Sequence, residues 1–230
     1  MPASQASMGY RTALEIALAS APATFTYIAE VKSNTPPSFS DSTIDVTHMQ
    51  SPGGVREYIS GLSDAGESSH EMNYVPGSAT DVFLRSIIRK NLVVRLTFPN
   101  GKQLIYNAVR SGYETDIPTD DGMSATLTLK VSGEPIPTPA AAPRNLIAPA
   151  ISGVARVGIP LTVDDGVWAG ASEVTYQWRR AAANIVGATG RGYVPVVGDV
   201  GAVITCEVTG ANDAFSTAAI SAGTAAVVAA

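Results

Sequence analysis

Cysteine is nearly absent from this sequence, since Cys206 is the single example among 230 residues. One cysteine cannot form an intrachain disulfide, so nothing indicates an oxidising compartment and we expect folding in a cytoplasm. Neither Cys206 nor the two histidines, His48 and His70, has a partner at metal-ligand spacing, and no glycine-rich phosphate loop precedes a lysine. We therefore expect no metal and no cofactor.

Runs of basic residues and long apolar runs are also missing. The net charge is -5, which argues against sequence-specific nucleic-acid binding and against an anionic membrane surface. No apolar run approaches the roughly 20 residues that span a bilayer. Residues 13–23, ALEIALASAPA, are similar to a signal peptide, but Glu15 interrupts the apolar part. We expect a soluble chain with a retained N-terminus and no membrane insertion.

Catalytic motifs are lacking as well. Asp45, His48 and Ser51 contain the residue types of a hydrolytic triad, yet no nucleophile elbow fixes the serine. The acidic stretch 116–121 lacks the ligand order of a calcium loop, and a solvated turn is the interpretation we favour. We predict that the protein is not an enzyme.

The chain does contain enough apolar residues for packed cores, at 45% of 230 residues, and its length suits two domains. The clearest boundary is EPIPTPAAAPRNLIAPA, residues 134–150, where proline and alanine favour an extended connector. We predict a first domain over residues 1–137, a proline-rich linker over 138–147 and a second domain over 148–230.

The first domain shows the alternation of strands. Polar and apolar residues alternate in four segments, at 24–31, 42–49, 67–75 and 124–131. A hairpin is predicted across 91–114, because Asn100-Gly101 has the turn chemistry that hairpins prefer. These patterns predict five to seven antiparallel strands.

One short helix is predicted within residues 77–90. Ser78 suits the N-cap, Asp81 the first turn, and Arg89 with Lys90 the last turn. The apolar positions Val82, Phe83, Ile87 and Ile88 are expected on one face, against a sheet. The fold class predicted for this domain is mainly β, a β-sandwich or partly open barrel with one helix that covers an edge.

Four segments occur in a recognisable order: GLSDAGE, NYVPG, a Phe-Pro-Asn-Gly turn and a closing TLTLKVSGEP. In this order they resemble the tail tube proteins, also called major tail proteins, of long-tailed, siphovirus-type bacteriophages. The resemblance covers roughly residues 24–137. It implies a structural virion protein of the tail, synthesised and assembled in the host cytoplasm, whose hexameric rings stack into the conduit for DNA ejection.

The same resemblance implies the partners. They are other copies of the chain, the tape measure protein and tail-end proteins in the lumen and at the termini, and phage DNA, which passes without specific binding. It also implies that residues 48–66 form an assembly loop that bridges subunits and rings and is poorly ordered before assembly.

The residues of this loop suit that role. Its glycines and its proline confer flexibility, and its charged side chains can form contacts that exist only once partners arrive. For Arg56 and Glu57 the alternative is an ordinary solvated surface pair. The interface residues we predict are Pro52, Gly53, Gly54, Arg56, Glu57, Gly61 and Asp64.

The second domain resembles a bacterial Ig-like sandwich. Trp178, Cys206 and the Asp199-x-Gly201 element occupy the family's core positions. Val163 stands where a partner cysteine is expected and Ile204 replaces the corner tyrosine, so we expect stability from apolar packing alone. The domain is expected to decorate the tube exterior and to bind a host-surface glycan weakly, with avidity from repetition. A solubilising spacer is the alternative.

Two other functions stay open at this point. The chain could be a surface-binding, adhesin-type β protein whose first domain presents the second, or a secretion-system tube protein that shares the ring geometry. The four tail-tube segments favour the phage tube.

Overall fold

The computed structural model describes residues 9–230, so residues 1–8 of the predicted first domain lie outside the described residues. The chain is mainly β, with one α-helix in the described part, as predicted. Contacts divide it into two compact units. The N-terminal unit comprises residues 14–96 and 104–137, and the C-terminal unit comprises, of the described residues, 9–13, 97–103 and 138–230.

A seven-stranded sheet forms the body of the N-terminal unit. The strands in this part of the chain are β1 (Ala13–Leu18), β2 (Thr26–Tyr27), β3 (Val31–Thr35), β4 (Ser40–Asp45), β5 (Tyr58–Asp64), β6 (Glu67–Asn73), β7 (Asn91–Thr97), β8 (Gln103–Asp116) and β9 (Ser124–Thr138). The order in the sheet is β2-β1-β7-β8-β9-β6-β3. Strands β4 and β5 pair only with each other, as a separate hairpin.

One face of the sheet carries the core. Alternate residues of the central strands bury their side chains there because successive side chains of a strand point to opposite faces. The helix α1 (Ala79–Ser86) contributes Leu84 to this core. Other members are Leu14, Ile16, Leu92, Val94, Leu96, Tyr106, Leu127 and Leu129.

The predicted helix is confirmed but is shorter than expected. The Ser78 hydroxyl accepts a hydrogen bond from the Asp81 amide at 3.2 Å, which is the predicted N-cap. The helix ends at Ser86, so the prediction of Arg89 in the last turn is wrong, and Arg89 instead adopts a left-handed backbone with φ of 57°. Val82 and Ile88 are exposed rather than packed, because Leu84 and Ile87 are the residues that face the sheet.

Strand β1 lies in the segment that is similar to a signal peptide. Its residues are buried on both faces, and Glu15 is buried because it accepts two hydrogen bonds from Arg95, at 2.8 and 3.1 Å. The ring of Phe25 covers the Arg95 guanidinium at 3.8 Å. This strand was missed because a run that is apolar on both faces has no alternation to reveal it.

The other strand predictions vary in accuracy. The predicted strand 24–31 is wrong over most of its length. Residues 26 and 27 form β2, Glu30 turns the chain with a left-handed φ of 65°, and residue 31 begins β3. The segments 67–75 and 124–131 are confirmed as β6 and β9. The hairpin across 91–114 is confirmed as β7 and β8.

The C-terminal unit consists of short strands. They are β10 (Arg144–Ile147), β11 (Ala150–Ser152), β12 (Leu161–Asp164), β13 (Val167–Ala169), β14 (Glu173–Arg180), β15 (Ala183–Asn184), β16 (Gly192–Tyr193), β17 (Ile204–Ala211) and β18 (Ser216–Ile220). Three sheets result, β11-β12-β16, β15-β14-β17-β18 and the pair β10-β13. Of the segment expected as linker, residues 144–147 form β10.

The core of this unit is centred on Trp178 and Cys206, which are directly paired across β14 and β17 and are fully buried. The Trp178 ring stacks on Tyr193, with 5.6 Å between ring centroids. The expectation of apolar packing alone is wrong, because the buried Asp199 carboxylate accepts hydrogen bonds from the Tyr193 hydroxyl at 2.6 Å and the Val196 amide at 2.8 Å. Burial opposes ionisation of Asp199, but these hydrogen bonds outweigh it and lower the pKa of the carboxyl.

Candidate assembly interface

The hairpin of β4 and β5 stands apart from the rest of the N-terminal unit. We call residues 40–64 the arm. Every residue of β4 is exposed, and Gly61 is the one residue of β5 that is partly covered. Two strands joined by a twelve-residue connection at 46–57 therefore extend without support from the seven-stranded sheet.

The arm is internally hydrogen-bonded up to its tip. The Val46 amide donates to the Glu57 carbonyl at 3.0 Å, and the Glu57 amide donates to the Thr47 hydroxyl oxygen at 3.0 Å. At the tip the Ser51 hydroxyl donates to the Glu57 carboxylate at 2.5 Å. The structure thus has a hairpin in which side chains at the tip bond the backbone groups that a loop would leave free. The poor order before assembly that the resemblance implied stays a prediction.

Large apolar side chains cover the arm, and they are exposed. Ile44 and Ile59 are direct cross-strand partners on one face, and Tyr58 lies on the other face. Leu62 is 89% exposed and Met49 is fully exposed. The exposed set also includes Phe39 beside the arm, Val46 and Val55. Side chains of this size seldom cluster on a free surface unless another molecule covers them.

The predicted interface residues Pro52, Gly53 and Gly54 form a tight 3₁₀ turn at the tip. Gly53 and Gly54 have left-handed φ values of 68° and 66°, a backbone conformation that glycine adopts readily, so both residues allow the turn to form. Gly61 has a different role from the predicted flexibility. A Cβ at this position would collide with the Ser42 hydroxyl, where β5 has a bulge of two residues opposite Ser42, so Gly61 permits close approach of the two strands.

The predicted charged residues already have partners within the chain. The Arg56 guanidinium lies 3.8 Å from the Asp45 carboxylate, and Glu57 accepts from Ser51. Asp64 pairs with Lys130 on β9 at 2.8 Å. Hydrogen bonds from Lys130 and then from the Gly66 amide hold the pKa of Asp64 below its ordinary value. The contacts that these residues are expected to make with neighbouring subunits stay a prediction.

The triad considered from sequence has no catalytic geometry. The His48 Nδ1 lies 3.4 Å from the Ser51 hydroxyl, but that hydroxyl donates to Glu57. His48 Nδ1 accepts from the Gln50 amide, and Asp45 accepts from the Thr47 amide, so each group is used in a local turn. Within residues 9–230 no group of three or more His, Cys, Asp or Glu side chains could hold a metal ion.

A second surface is the sheet face opposite the core. It carries Ser, Thr and paired charges: Glu67 lies across from Lys130, Ser69 across from Thr128 and Glu71 across from Thr126. Lys32 donates to Glu71 at 3.2 Å. The Lys130 ammonium bonds Asp64 rather than Glu67, so the two lysines named here are each offset by a carboxylate and do not make the face basic.

Sequence analysis located the arm but missed its apolar residues. Ile44, Tyr58, Ile59 and Leu62 are spread over both faces of two strands, so no single-face period marks them as an interface. The available signal was the coincidence of several large apolar residues with glycine and serine in a stretch that lacks strand alternation.

Comparison with known proteins places these surfaces in context. Among solved structures, the chain is similar to a protein in the tail of an empty gene transfer agent particle, refined with C6 symmetry, at 20% identity, a TM-score of 0.49 and coverage of 58% of this chain and 100% of that one. It is also similar to a protein of the anti-feeding prophage baseplate, at 11% identity, a TM-score of 0.48 and coverage of 59% and 97%. No curated protein sequence matches the chain.

The family match is more extensive. The model of the lambda phage tail tube protein family matches residues 10–138, which is more than half of the chain and includes the whole arm. Tail tube proteins are structural components of the virion tail and not enzymes. In the part of the chain that the structure describes, no helix is long and apolar enough to cross a membrane. On the family match, the chain belongs to the lambda phage tail tube protein family.

Proposed function

We propose that this chain assembles with copies of itself into hexameric rings that stack as a siphovirus-type tail tube, the conduit for DNA ejection. The observation that supports this proposal most directly is the exposed apolar surface on both faces of the arm. A two-stranded ribbon has no interior of its own, and the apolar side chains on both faces of the arm are exposed in the single chain. Neighbouring subunits, in the same ring and in the next ring, supply the cover.

The energy available at the arm suits assembly. Burying a large aliphatic or aromatic side chain fully contributes about 1.5–3 kcal/mol. Tyr58, Ile59 and Leu62 are each more than half exposed, so covering these three alone would contribute several kcal/mol per subunit. Repetition of that contact around every ring makes a long polymer stable.

The open sheet face suits the lumen. DNA is a polyanion, so a wall rich in unpaired Lys or Arg would bind it and hinder ejection. The ion pairs Glu71 with Lys32 and Asp64 with Lys130 offset both lysines, and Glu67 adds a negative charge, so these residues do not make the face basic. We place this face toward the lumen, where the tape measure protein is also accommodated, with tail-end proteins at the termini. A strongly basic inner wall in an assembled tube would contradict this assignment.

The C-terminal unit is proposed to be an Ig-like decoration on the tube exterior. The burial of Trp178 against its β17 partner Cys206 supports the Ig-like interpretation. The unit also has its own core cluster, separate from that of the N-terminal unit. Weak binding to a host-surface glycan, multiplied by repetition along the tube, is the function we propose for it.

The test is removal of the arm. The two ends of the arm come close, since a Cβ on Gly66 would lie 2.8 Å from the Ser38 carbonyl oxygen, so a short Gly-Ser linker can replace residues 41–63. We expect a folded monomer by circular dichroism and sedimentation, without the tubes that the intact chain forms in negative-stain micrographs. Normal tubes from the variant would exclude the arm as the assembly element. An intact chain that stays monomeric at all concentrations would favour an adhesin-type protein instead.

A further inference from the structure

A buried chain of hydrogen bonds lies where the arm begins. It involves four side chains from three strands: Asn34 of β3, Ser68 and His70 of β6, and Tyr106 of β8. The His70 Nδ1 lies 2.8 Å from the Asn34 side-chain oxygen. The Tyr106 hydroxyl donates to the Ser68 hydroxyl oxygen at 3.0 Å, and Ser68 Oγ lies 3.3 Å from His70 Nε2. His70 and Ser68 have no exposed surface.

The donors and acceptors of this chain fit one protonation state. The Asn34 oxygen is an acceptor, so His70 must carry its proton on Nδ1 and donate it there. His70 Nε2 then accepts from the Ser68 hydroxyl, which itself accepts from Tyr106. Every polar group named is satisfied when His70 is neutral, and burial lowers the pKa of His70 to about 4, which keeps it so.

Among the described residues, no charged group on the elements packed against His70 lies where it would compensate a proton on the imidazole. The titratable group that faces it is Tyr106, whose pKa burial raises to about 12. The β9 partner of His70 is Leu127. Glu71, the next residue after His70, points to the opposite face, where it accepts a hydrogen bond from Lys32. The imidazole is therefore held as a neutral hydrogen-bonding group.

Strand β3 needs this contact because its sequence specifies register poorly. In VKSNT the only apolar residue is Val31, which pairs with Met72, and the register shifts between Val31 and Ser33. A strand without an apolar alternation is prone to slippage. If β3 slipped by one residue, a Ser33 or Thr35 hydroxyl, shorter than the amide, would replace Asn34 and leave the His70 N–H unsatisfied.

The register of β3 sets the start of the arm. Residues 36–39 separate β3 from β4, and two of them, Pro36 and Pro37, fix their own φ and make this connection stiff. The other end of the arm is tied by Asp64 to Lys130 on β9. One end thus depends on an ion pair at the surface and the other on the contact between half-buried Asn34 and buried His70.

We propose that Asn34 and His70 form a clasp that fixes the register of edge strand β3 and thereby the direction in which the arm leaves the subunit. The clasp rests on the proposed function of the arm as the assembly element. Asn34 and His70 are positioning residues in this account, because neither needs to touch a neighbouring subunit.

The experiment uses the full chain with Asn34→Ala, and with Thr35→Ala as the matched control on the outward face of the same strand. Hydrogen exchange of the monomer at pH 7 should be at least tenfold faster in residues 31–35 of Asn34→Ala, with β6 and β9 unchanged. Tube formation should slow at least tenfold. Thr35→Ala should match the intact chain in both measurements.

Rescue distinguishes the clasp from a general packing defect. Asn34→Asp restores an acceptor for the His70 N–H, so exchange in β3 and tube formation at pH 7 should recover, and NMR titration should show a raised His70 pKa. Exchange in Asn34→Ala equal to that of Thr35→Ala, or an Asn34→Asp variant as impaired as Asn34→Ala, would overturn the clasp. If the intact chain forms no tubes, the proposed function of the arm fails, whereas the exchange comparison still decides the clasp.

Discussion

Strands β17 and β5 have similar lengths, 8 and 7 residues, but they differ in how far their side chains are buried. Strand β17, ITCEVTGA, alternates buried and half-buried residues, so its apolar side chains all enter one core. Strand β5, YISGLSD, places Tyr58 on one face and Ile59 on the other, and nearly all of it is exposed. The difference shows that the distribution of apolar residues between the faces of a strand, more than their number, decides whether one chain can bury them.

The largest expected effect on stability comes from removing the buried Trp178 ring, which pairs with Cys206 across β14 and β17. Trp178→Ala removes a fully buried ring beside Cys206, and we expect the free energy of unfolding of the C-terminal unit to fall by about 3–5 kcal/mol. Tube formation should persist, because each unit has its own core. Thermal unfolding and negative-stain microscopy measure the two outcomes.

A truncation after Pro139 is the companion variant, and it should also form tubes, which should be thinner. Loss of tubes in either variant would mean that the C-terminal unit helps to hold subunits or rings together.

Acid should destabilise the N-terminal unit through His70. The unfolded chain protonates His70 below its ordinary pKa of 6.5, whereas the folded chain resists until about pH 4. The free energy of unfolding is therefore unaffected above about pH 6.5 and should fall by about 3 kcal/mol as pH drops to 4. Urea denaturation at a series of pH values measures this.

Substitution of each histidine tests the acid effect, with His70→Gln as the test variant and His48→Gln as its control. His70→Gln should flatten the pH dependence of unfolding, whereas His48→Gln on the exposed arm tip should leave it intact. An unchanged slope in His70→Gln would assign the acid sensitivity to other groups.

Leu62→Ser tests whether the exposed apolar residues of the arm act in assembly rather than in folding. Because Leu62 is 89% exposed, its replacement should change the free energy of unfolding by less than about 0.5 kcal/mol. Tube formation should nevertheless slow at least tenfold, since the buried apolar contact with a neighbour is lost. Val186→Ser is the control, because Val186 is 99% exposed but lies in the C-terminal unit. Equal tube formation by both variants would show that Leu62 is not at an interface.

The smallest effect is expected at Cys206. Its thiol is buried, which raises its pKa to about 11, and in residues 9–230 it is the single cysteine and is free. Reducing agents should therefore leave the thermal unfolding of both units unchanged. A shift in the unfolding temperature of the C-terminal unit would indicate that the thiol is accessible.

Local signals in the sequence predicted much of the fold. Ser78 as N-cap, the Asn100-Gly101 turn and the alternation in β6 and β9 depend on neighbouring residues alone, and each is confirmed. The family match over residues 10–138 agrees with the segments that carried the resemblance.

Features that depend on distant residues were not predictable in the same way. Strand β1 is buried on both faces because Arg95, 80 positions away, neutralises Glu15. The Asp199 cluster requires Tyr193 and Arg180 to meet in space. In the arm, the partner of Asp64 is Lys130 rather than a neighbouring subunit, and no spacing rule links residues so far apart.

The ordered tip of the arm bears on how polymerisation is timed. Fixing one flexible residue costs roughly 1–2 kcal/mol of conformational entropy, and a subunit whose Ser51 and Glu57 already close the tip does not meet that cost when it joins a ring. Incoming subunits can therefore add without a folding step, and elongation can be fast. In the proposed assembly, the same readiness would leave premature polymerisation in the host cell unchecked by the arm itself. Control over when and where tubes begin must then lie in nucleation, at whatever template presents the first ring.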